Sequence, residues 1–319
     1  MKTIIVNPNN TMSTIQKALD TKGSNIIFSP GIYNITAPLF IDSGVKIIGD
    51  KAILRQAGKI NHLLMTRTYK NTTAYLGAHD IIIEGLTFEA MAKYKTKLNL
   101  VTLWHARDVT LRNITMLDAY MFHALEINSS KSIVVENSSF LGYFSDHKAD
   151  FREQIQIDFA SESALFLFAK GSKCYDNTCC EDITIRGCTF DSHKSDNRII
   201  RPAASQCIGN HCQPSNGRKH KNIIIESNIF NGEGGTNPKG CAINLTAMDN
   251  VTIRNNKASG FGRFAVAKRN KDYSYNKNGR KITPTMKDGT CNNTIIEGNK
   301  VTNPSWSYKA YEFYREKGC

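Results

Sequence analysis

Short stretches in which apolar residues alternate with polar ones recur along this chain, and several share one template. VKIIGD from Val45, IIIEGLTF from Ile81, VTLRNITM from Val109, IVVENSSF from Ile133, ITIRGCTF from Ile183, IIIESNIF from Ile223, VTIRNNKA from Val251 and TIIEGNKV from Thr294 run apolar, variable, apolar, charged, then small. A period of two with β-branched residues predicts strand. Glu84, Arg112, Glu136, Arg186, Glu226, Arg254 and Glu297 are equivalent positions, followed by Gly85, Asn113, Asn137, Gly187, Ser227, Asn255 and Gly298. Gly and Asn enter the left-handed backbone region cheaply, so this column predicts one bend repeated in every copy.

The charged equivalents are spaced 28, 24, 50, 40, 28 and 43 residues apart. That reads as a coil of 24 to 28 residues, with loops added to three copies. Three strands and three bends fit that length. The pattern therefore predicts an all-β chain: a single-domain right-handed parallel β-helix over 1–319, in which stacked coils build one continuous core. An open coil end exposes unpaired strand edges. A helix over 12–20, with Ser13 and Gln16 in capping-box spacing, is expected to cover the first end, and Trp306, Tyr308, Tyr311, Phe313 and Tyr314 the other.

The opening, TIQKALD followed by NIIFSPGIYNIT and GVKIIGD, resembles the start of pectin-lyase-like β-helix proteins, among them phage tailspike depolymerases, polygalacturonases and pectate lyases. The resemblance implies a polysaccharide held in a groove along the outside of the coils. The chain lacks the polygalacturonase signatures NTDG, GHG and RIK, and has no acidic calcium cluster of the pectate lyase kind.

A second column stacks the strands that precede the template: NLVTLW from Asn99, HALEIN from His123, EQIQID from Glu153, QCIGNH from Gln206 and CAINLT from Cys241. Alternation turns Leu125, Ile127, Ile155, Ile157, Ile243 and Leu245 inward. The outward face then carries Thr102 and Trp104, Glu126 and Asn128, Gln156 and Asp158, Gly209 and His211, Asn244 and Thr246. Glu126 and Asp158, one coil and two residues apart, are about 8 Å from one another, within the roughly 6.5 to 9.5 Å window of inverting glycosidases. They are the candidate acid and base, with His211 beside them as an alternative base.

Trp104, Asn128, Gln156, Asn244, Arg152, Arg201 and Lys268 are candidate substrate contacts, Tyr143 and Phe144 candidate stacking rings, and His123 and Glu153 further candidates at strand starts. Loops at 142–152, 161–181, 192–205, 212–220 and 269–290 would wall the stripe into a groove. Their basic residues Lys148, Arg152, Arg198, Arg201, Arg218 and Lys219 would set its sign.

Composition narrows the partner more than the fold. With 41 Lys and Arg against 28 Asp and Glu the chain carries +13, which suits a polyanion such as an acidic polysaccharide. Aromatic residues do not interleave with the basic ones, so no nucleic-acid partner is expected. Of nine Cys, Cys174, Cys179, Cys180 and Cys188 fall in or beside one insertion and are expected to brace it. No pair of CxxC knuckles occurs, and neither a metal nor another cofactor is expected. No apolar run is long enough to span a bilayer and the first ten residues lack signal-peptide grammar, so the expectation is a cytoplasmic or virion-associated monomer. The expected activity is polysaccharide depolymerisation, by hydrolysis ahead of β-elimination, with a non-catalytic glycan-binding module as the alternative.

Overall fold

The computed structural model describes residues 2–144, 153–162, 168–210, 217–232, 240–268, 275–277, 280–282, 291–302 and 311–313, with the backbone alone for 266–268, 275–277, 280–282 and 311–313. Within them the chain winds repeatedly through three parallel sheets of ten, nine and nine strands. The template segments form the first sheet, and the short strands after the bend, such as Thr115–Tyr120 and Ser139–Phe144, form the second. NLVTLW, HALEIN and their equivalents form the third, with Asn99–Trp104, Leu125–Asn128, Glu153–Asp158, Gln206–Gly209 and Cys241–Thr246 as its middle strands.

The bend column behaves as predicted. Gly85, Asn113, Asn137, Gly187, Ser227, Asn255 and Gly298 all have φ between 50° and 74°. Crowding as well as backbone freedom demands glycine at Gly85, where an added Cβ would lie 2.0 Å from the Gly49 carbonyl oxygen. Beyond the bend stands a column the template does not advertise. Asn228, Asn256 and Asn299 each accept the backbone N–H one coil below, at 2.9 Å in every case. Their amides donate to the carbonyls of Ile185, Ile225 and Ile253 at 3.0, 3.0 and 2.9 Å, so each pairs one turn N–H and one turn carbonyl.

Inside the coils, Phe140, Phe190 and Phe230 stack with centroids 4.8 and 5.0 Å apart. Outside, the charged column of the first sheet alternates in sign down the stack. Arg112 pairs with Glu84 at 2.8 Å, Arg186 with Glu136 at 2.6 Å and Arg254 with Glu226 at 2.7 Å. These pairs are half-exposed and add little stability each, but a one-coil slip would oppose like charges, so they hold register.

The N-terminal helix, Met12–Leu19, buries Ile15, Ala18 and Leu19 on the open end of the first coils. Its cap differs from the expected box. Thr11 is the N-cap and its hydroxyl accepts the Thr14 N–H, whereas the Gln16 amide donates to Asp20 Oδ1 at the C-cap, 2.8 Å, and also reaches the adjoining coil. The Gln16 amide donates to the Phe40 carbonyl at 2.8 Å and accepts the Phe40 N–H at 2.9 Å, supplying the two bonds that a neighbouring strand would have made. Three expected groove loops begin or fold as strand: 142–144 lies within Ser139–Phe144, and 192–205 contains the antiparallel hairpin His193–Ser195 with Arg198–Arg201. Tyr275–Lys277 and Arg280–Ile282 pair likewise within 269–290. The aromatic cluster expected at the C-terminal end lies outside the described residues, apart from the backbone of Tyr311 and Phe313.

Candidate functional site

Along the third sheet the inward residues Leu125, Ile127, Ile155, Ile157, Ile243 and Leu245 are fully buried in the core. Register pairs Thr102 with Glu126, Glu126 with Gln156 and Gln156 with Gly209, while Asn128 pairs with Asp158. The outward stripe thus exists as a contiguous surface of the sheet. It is not a wet one: Glu126 is 3% exposed and Asp158 7%, and Asn128, Gln156 and Thr102 are buried with them. The first sheet is the contrast, because the same outward geometry there carries exposed ion pairs. Burying carboxylates costs several kcal/mol unless donors meet them.

Donors do meet them, in a checkerboard. Glu126 and Asn128 on one strand face Gln156 and Asp158 on the next, so each acid has an amide beside it along the strand and another across the rung. The Asn128 amide donates to Glu126 Oε1 at 3.2 Å, and the Asn99 amide donates to Glu126 Oε2. The Gln156 amide donates to Asp158 Oδ2 at 2.9 Å, and the Phe159 N–H to Oδ1 at 2.8 Å. The two acids sit on a diagonal, the arrangement that keeps like charges farthest apart within four neighbouring positions. Asn128 Oδ1 and Gln156 Oε1 are buried without a hydrogen-bond partner among the described residues.

At the strand starts a second layer supports the first. The His123 Nδ1–H donates to the Glu153 carbonyl at 2.8 Å, with Glu153 Oε2 4.0 Å away, and the His123 N–H donates to Asn99 Oδ1 at 3.0 Å. The Gln206 amide donates to Glu153 Oε1, and the Asn244 amide to Gln206 Oε1 at 3.3 Å. Gly209 breaks the stripe for a packing reason: a Cβ there would lie 2.3 Å from Gln206 Nε2. Asn99 and Gln206 are thus the supports that pattern reading missed, because strand parity assigns them to the core side.

Other expected contacts lie elsewhere. Trp104 points outward as alternation requires but is fully buried, packed with Met65 and Cys174 beneath Phe168 and Tyr175. It anchors the 168–180 segment and does not present a face to a sugar. Tyr143 is buried in the core, and Phe144 is occupied by Tyr120, stacked at 5.4 Å, and by the Arg201 guanidinium at 5.4 Å. His105 is at the bend, φ 52°, with its ring nitrogens 2.6 and 2.7 Å from the carbonyls of Ala74 and Cys174. His211, Arg152 and Lys148 lie outside the described residues, as does the side chain of Lys268.

Arg201 belongs to a cluster the sequence did not reveal. Asp118, in the second sheet with φ 57°, is 2.9 Å from His193 Nδ1 on the hairpin. Burial pushes the Asp118 carboxyl above its ordinary value, and the hydrogen bond to His193 opposes that. Gly142 makes the contact possible, since a Cβ would lie 2.5 Å from Asp118 Oδ1 and 2.8 Å from His193 Cβ. No sequence spacing links residues 75 positions apart on different elements.

The cysteines divide in two. Cys174 and Cys179 brace the 168–180 segment, but Cys180 and Cys188 are coil residues of the core, bonding the carbonyls of Asp158 and Arg186 at 3.2 and 3.3 Å. Burial pushes the Cys179 and Cys188 thiols up to about 12, so neither is a nucleophile near neutral pH. Beside them His220 accepts the Cys180 N–H at 3.0 Å, and burial lowers its pKa to about 3.

Comparison with known proteins gives the architecture a context. The plasmin and fibronectin-binding protein A of Streptococcus pneumoniae is 26% identical over 273 residues, spanning 76% of this chain and 36% of that relative. The crystal structure of PfbA, a surface adhesin of the same organism, superposes with a TM-score of 0.70 at 20% identity, covering 96% of this chain and 74% of that one. The chain has the pectin-lyase-like right-handed parallel β-helix fold. A Yersinia enterocolitica family 28 exopolygalacturonase shares it at TM-score 0.58 and 14% identity, over 98% of this chain and 68% of that one. An alginate lyase from Paenibacillus does so at 0.56 and 15%, over 99% and 98%. No family model matches the chain. Among the described residues no helix is long and apolar enough to cross a membrane.

Proposed function

We propose that this protein cleaves a polysaccharide on the outer face of its third sheet, by hydrolysis, with Glu126 and Asp158 as acid and base. The observation that carries the proposal is the checkerboard. Each carboxyl is held by a neighbouring amide whose own oxygen has no hydrogen-bond partner among the described residues. The charged acid takes the amide N–H; the protonated acid, after the amide turns over, gives its O–H to the amide oxygen. Either protonation state is therefore satisfied in place, which an acid that gives up its proton and a base that gains one both need. A diagonal of about 8 Å leaves room for a water between the base and the anomeric carbon. In that reaction the acid protonates the leaving glycosidic oxygen as the C–O bond breaks, and the base takes a proton from the attacking water. His211 is the alternative base; Gln156, Asn128, Asn244, Arg152, Arg201 and Lys268 are proposed sugar contacts.

A second reading is binding without cleavage. It is favoured by the burial of both acids and by the likeness to a plasmin and fibronectin-binding surface protein. β-Elimination on a uronate-containing glycan is the other catalytic route. Incubating the protein with a polysaccharide panel separates the three. New reducing ends without unsaturated products support hydrolysis, unsaturated ends absorbing in the near ultraviolet support elimination, and retention on a glycan array with neither product supports binding alone.

A further inference from the structure

The outer face of the first sheet takes no part in the mechanism above. In-register pairing lines up Ile82, Thr110, Val134, Thr184, Ile224 and Thr252 as one straight outward column, with Ile295 at its far end. Threonine therefore alternates with a branched aliphatic residue from rung to rung. Beside this column runs the charged one, Glu84, Arg112, Glu136, Arg186, Glu226 and Arg254, which alternates in sign with the same period. The outward residues of the third sheet are buried, whereas these six aliphatic and threonine side chains are half-buried and Ile295 is 51% exposed.

A column that alternates from rung to rung is complementary to its own reversed copy when the two are offset by one rung. Two copies meet that condition when set face to face, strands parallel and stacks running in opposite directions, about a two-fold axis between the strands Lys131–Glu136 and Glu181–Arg186. Glu136 then lies opposite the second copy's Arg186, Arg112 opposite its Glu226 and Glu84 opposite its Arg254, and symmetry repeats each contact. In the adjoining column Val134 meets Thr184, Ile224 meets Thr110 and Ile82 meets Thr252, so each threonine methyl faces an aliphatic side chain. At the strand starts Lys131 faces Glu181 and His79 faces Asp249. Arg107 opposite Lys221 is the like pair, and Arg107 already holds Asp108 at 2.8 Å. Arg112, Arg186 and Arg254 each engage a Glu of their own chain through Nε or Nη2. A guanidinium carries five donors in a fork, so a carboxylate from across the face extends each pair into a network.

We infer that this face is a homodimer interface, occupied by a second copy of the chain in that antiparallel arrangement. The eight rungs from Lys46–Gly49 to Asn292–Glu297, ~4.8 Å apart, and about 17 Å of strand give roughly 650 Å² per copy, or ~1,300 Å² in all. That is near the lower end of specific interfaces, so the pair should be reversible, with a Kd on the order of 10 μM. A dimer replaces the monomer expected from the sequence. The face contains none of the residues proposed to handle a glycan, so the inference stands apart from the proposed function.

Sedimentation velocity of the full chain, from about 1 to about 200 μM, reads the self-association. The expected result is a monomer–dimer equilibrium that weakens as salt rises from about 0.05 to about 0.5 M. Thr184→Lys/Thr252→Lys, which sets four ammonium groups into the paired faces, should weaken it at least ~tenfold with unchanged circular dichroism. Disulfide trapping reads the arrangement, in a background with Cys212, Cys291 and Cys319 changed to Ser. Thr110→Cys and Ile224→Cys chains, mixed, should cross-link to one another, and neither alone to itself. A chain that stays monomeric at the highest concentration overturns the inference, as does a dimer indifferent to the two lysines. Self-linking of either cysteine variant alone would overturn the antiparallel pairing, because position 110 would then face its own copy.

Discussion

Replacing Glu126 with Gln or Asp158 with Asn is the most demanding test of the stripe, because the structure predicts that neither change harms the fold. At position 126 the new NH2 would meet the Asn128 amide donor, 3.2 Å from Oε1. Asn128 Oδ1 has no partner, so turning that amide over converts the clash into a hydrogen bond. At position 158 the oxygen facing the Phe159 N–H at 2.8 Å can be kept, and Gln156, whose oxygen has no partner among the described residues, can turn in the same way. Replacing whichever of the two is the ionised base also removes a buried charge. The net effect on stability should be within about 1 kcal/mol, the scale of one hydrogen bond exchanged for another. Turnover should fall ~100-fold or more, about 2.7 kcal/mol of transition-state stabilisation, because an amide cannot transfer the proton. Thermal melts and reducing-end release on the best substrate from the panel measure the two quantities separately. Unaltered turnover in both variants would reject the stripe as the catalytic site, and a loss of folding in either would reject the checkerboard argument.

Other expectations follow from the same geometry. Gly85→Ala should cost about 2 kcal/mol or more in a urea titration, since a left-handed residue gains a Cβ 2.0 Å from a carbonyl oxygen; an unchanged midpoint would contradict the tight stacking of the bends. His220 is held neutral, its pKa lowered to about 3 against an ordinary 6.5. The unfolded chain therefore takes up the proton first as pH falls, and stability present above pH 6.5 is lost progressively toward pH 3. At pH 4.5 this amounts to roughly 2 to 3 kcal/mol, and His220→Asn should flatten the pH dependence of unfolding by that much; identical slopes would refute it. Trp104→Ala should destabilise by ~3 to 5 kcal/mol and admit protease to the 168–180 segment, without selectively weakening glycan affinity in folded protein. Cys179, Cys180 and Cys188 should resist iodoacetamide at pH 7.5 in the native state, read by mass spectrometry, and rapid labelling would show their burial to be wrong.

The pattern of the chain was enough for the coils. Period-two alternation and the Gly/Asn column are local properties, set by which side of a strand a residue faces and by which residues tolerate positive φ, so they can be read without a third dimension. Parity likewise placed Glu126, Asn128, Gln156 and Asp158 on one outward face. What it could not supply was their environment. Parity separates core from exterior, and it says nothing of whether the exterior is covered; Trp104 became an anchor through contacts with Phe168 and Tyr175, far away in sequence, and the acids are buried although parity turns them outward. The supports Asn99 and Gln206 and the Asp118–His193 pair are likewise juxtapositions across coils and insertions. Their distances are decided by how separate coils and insertions pack, a question that no local rule answers.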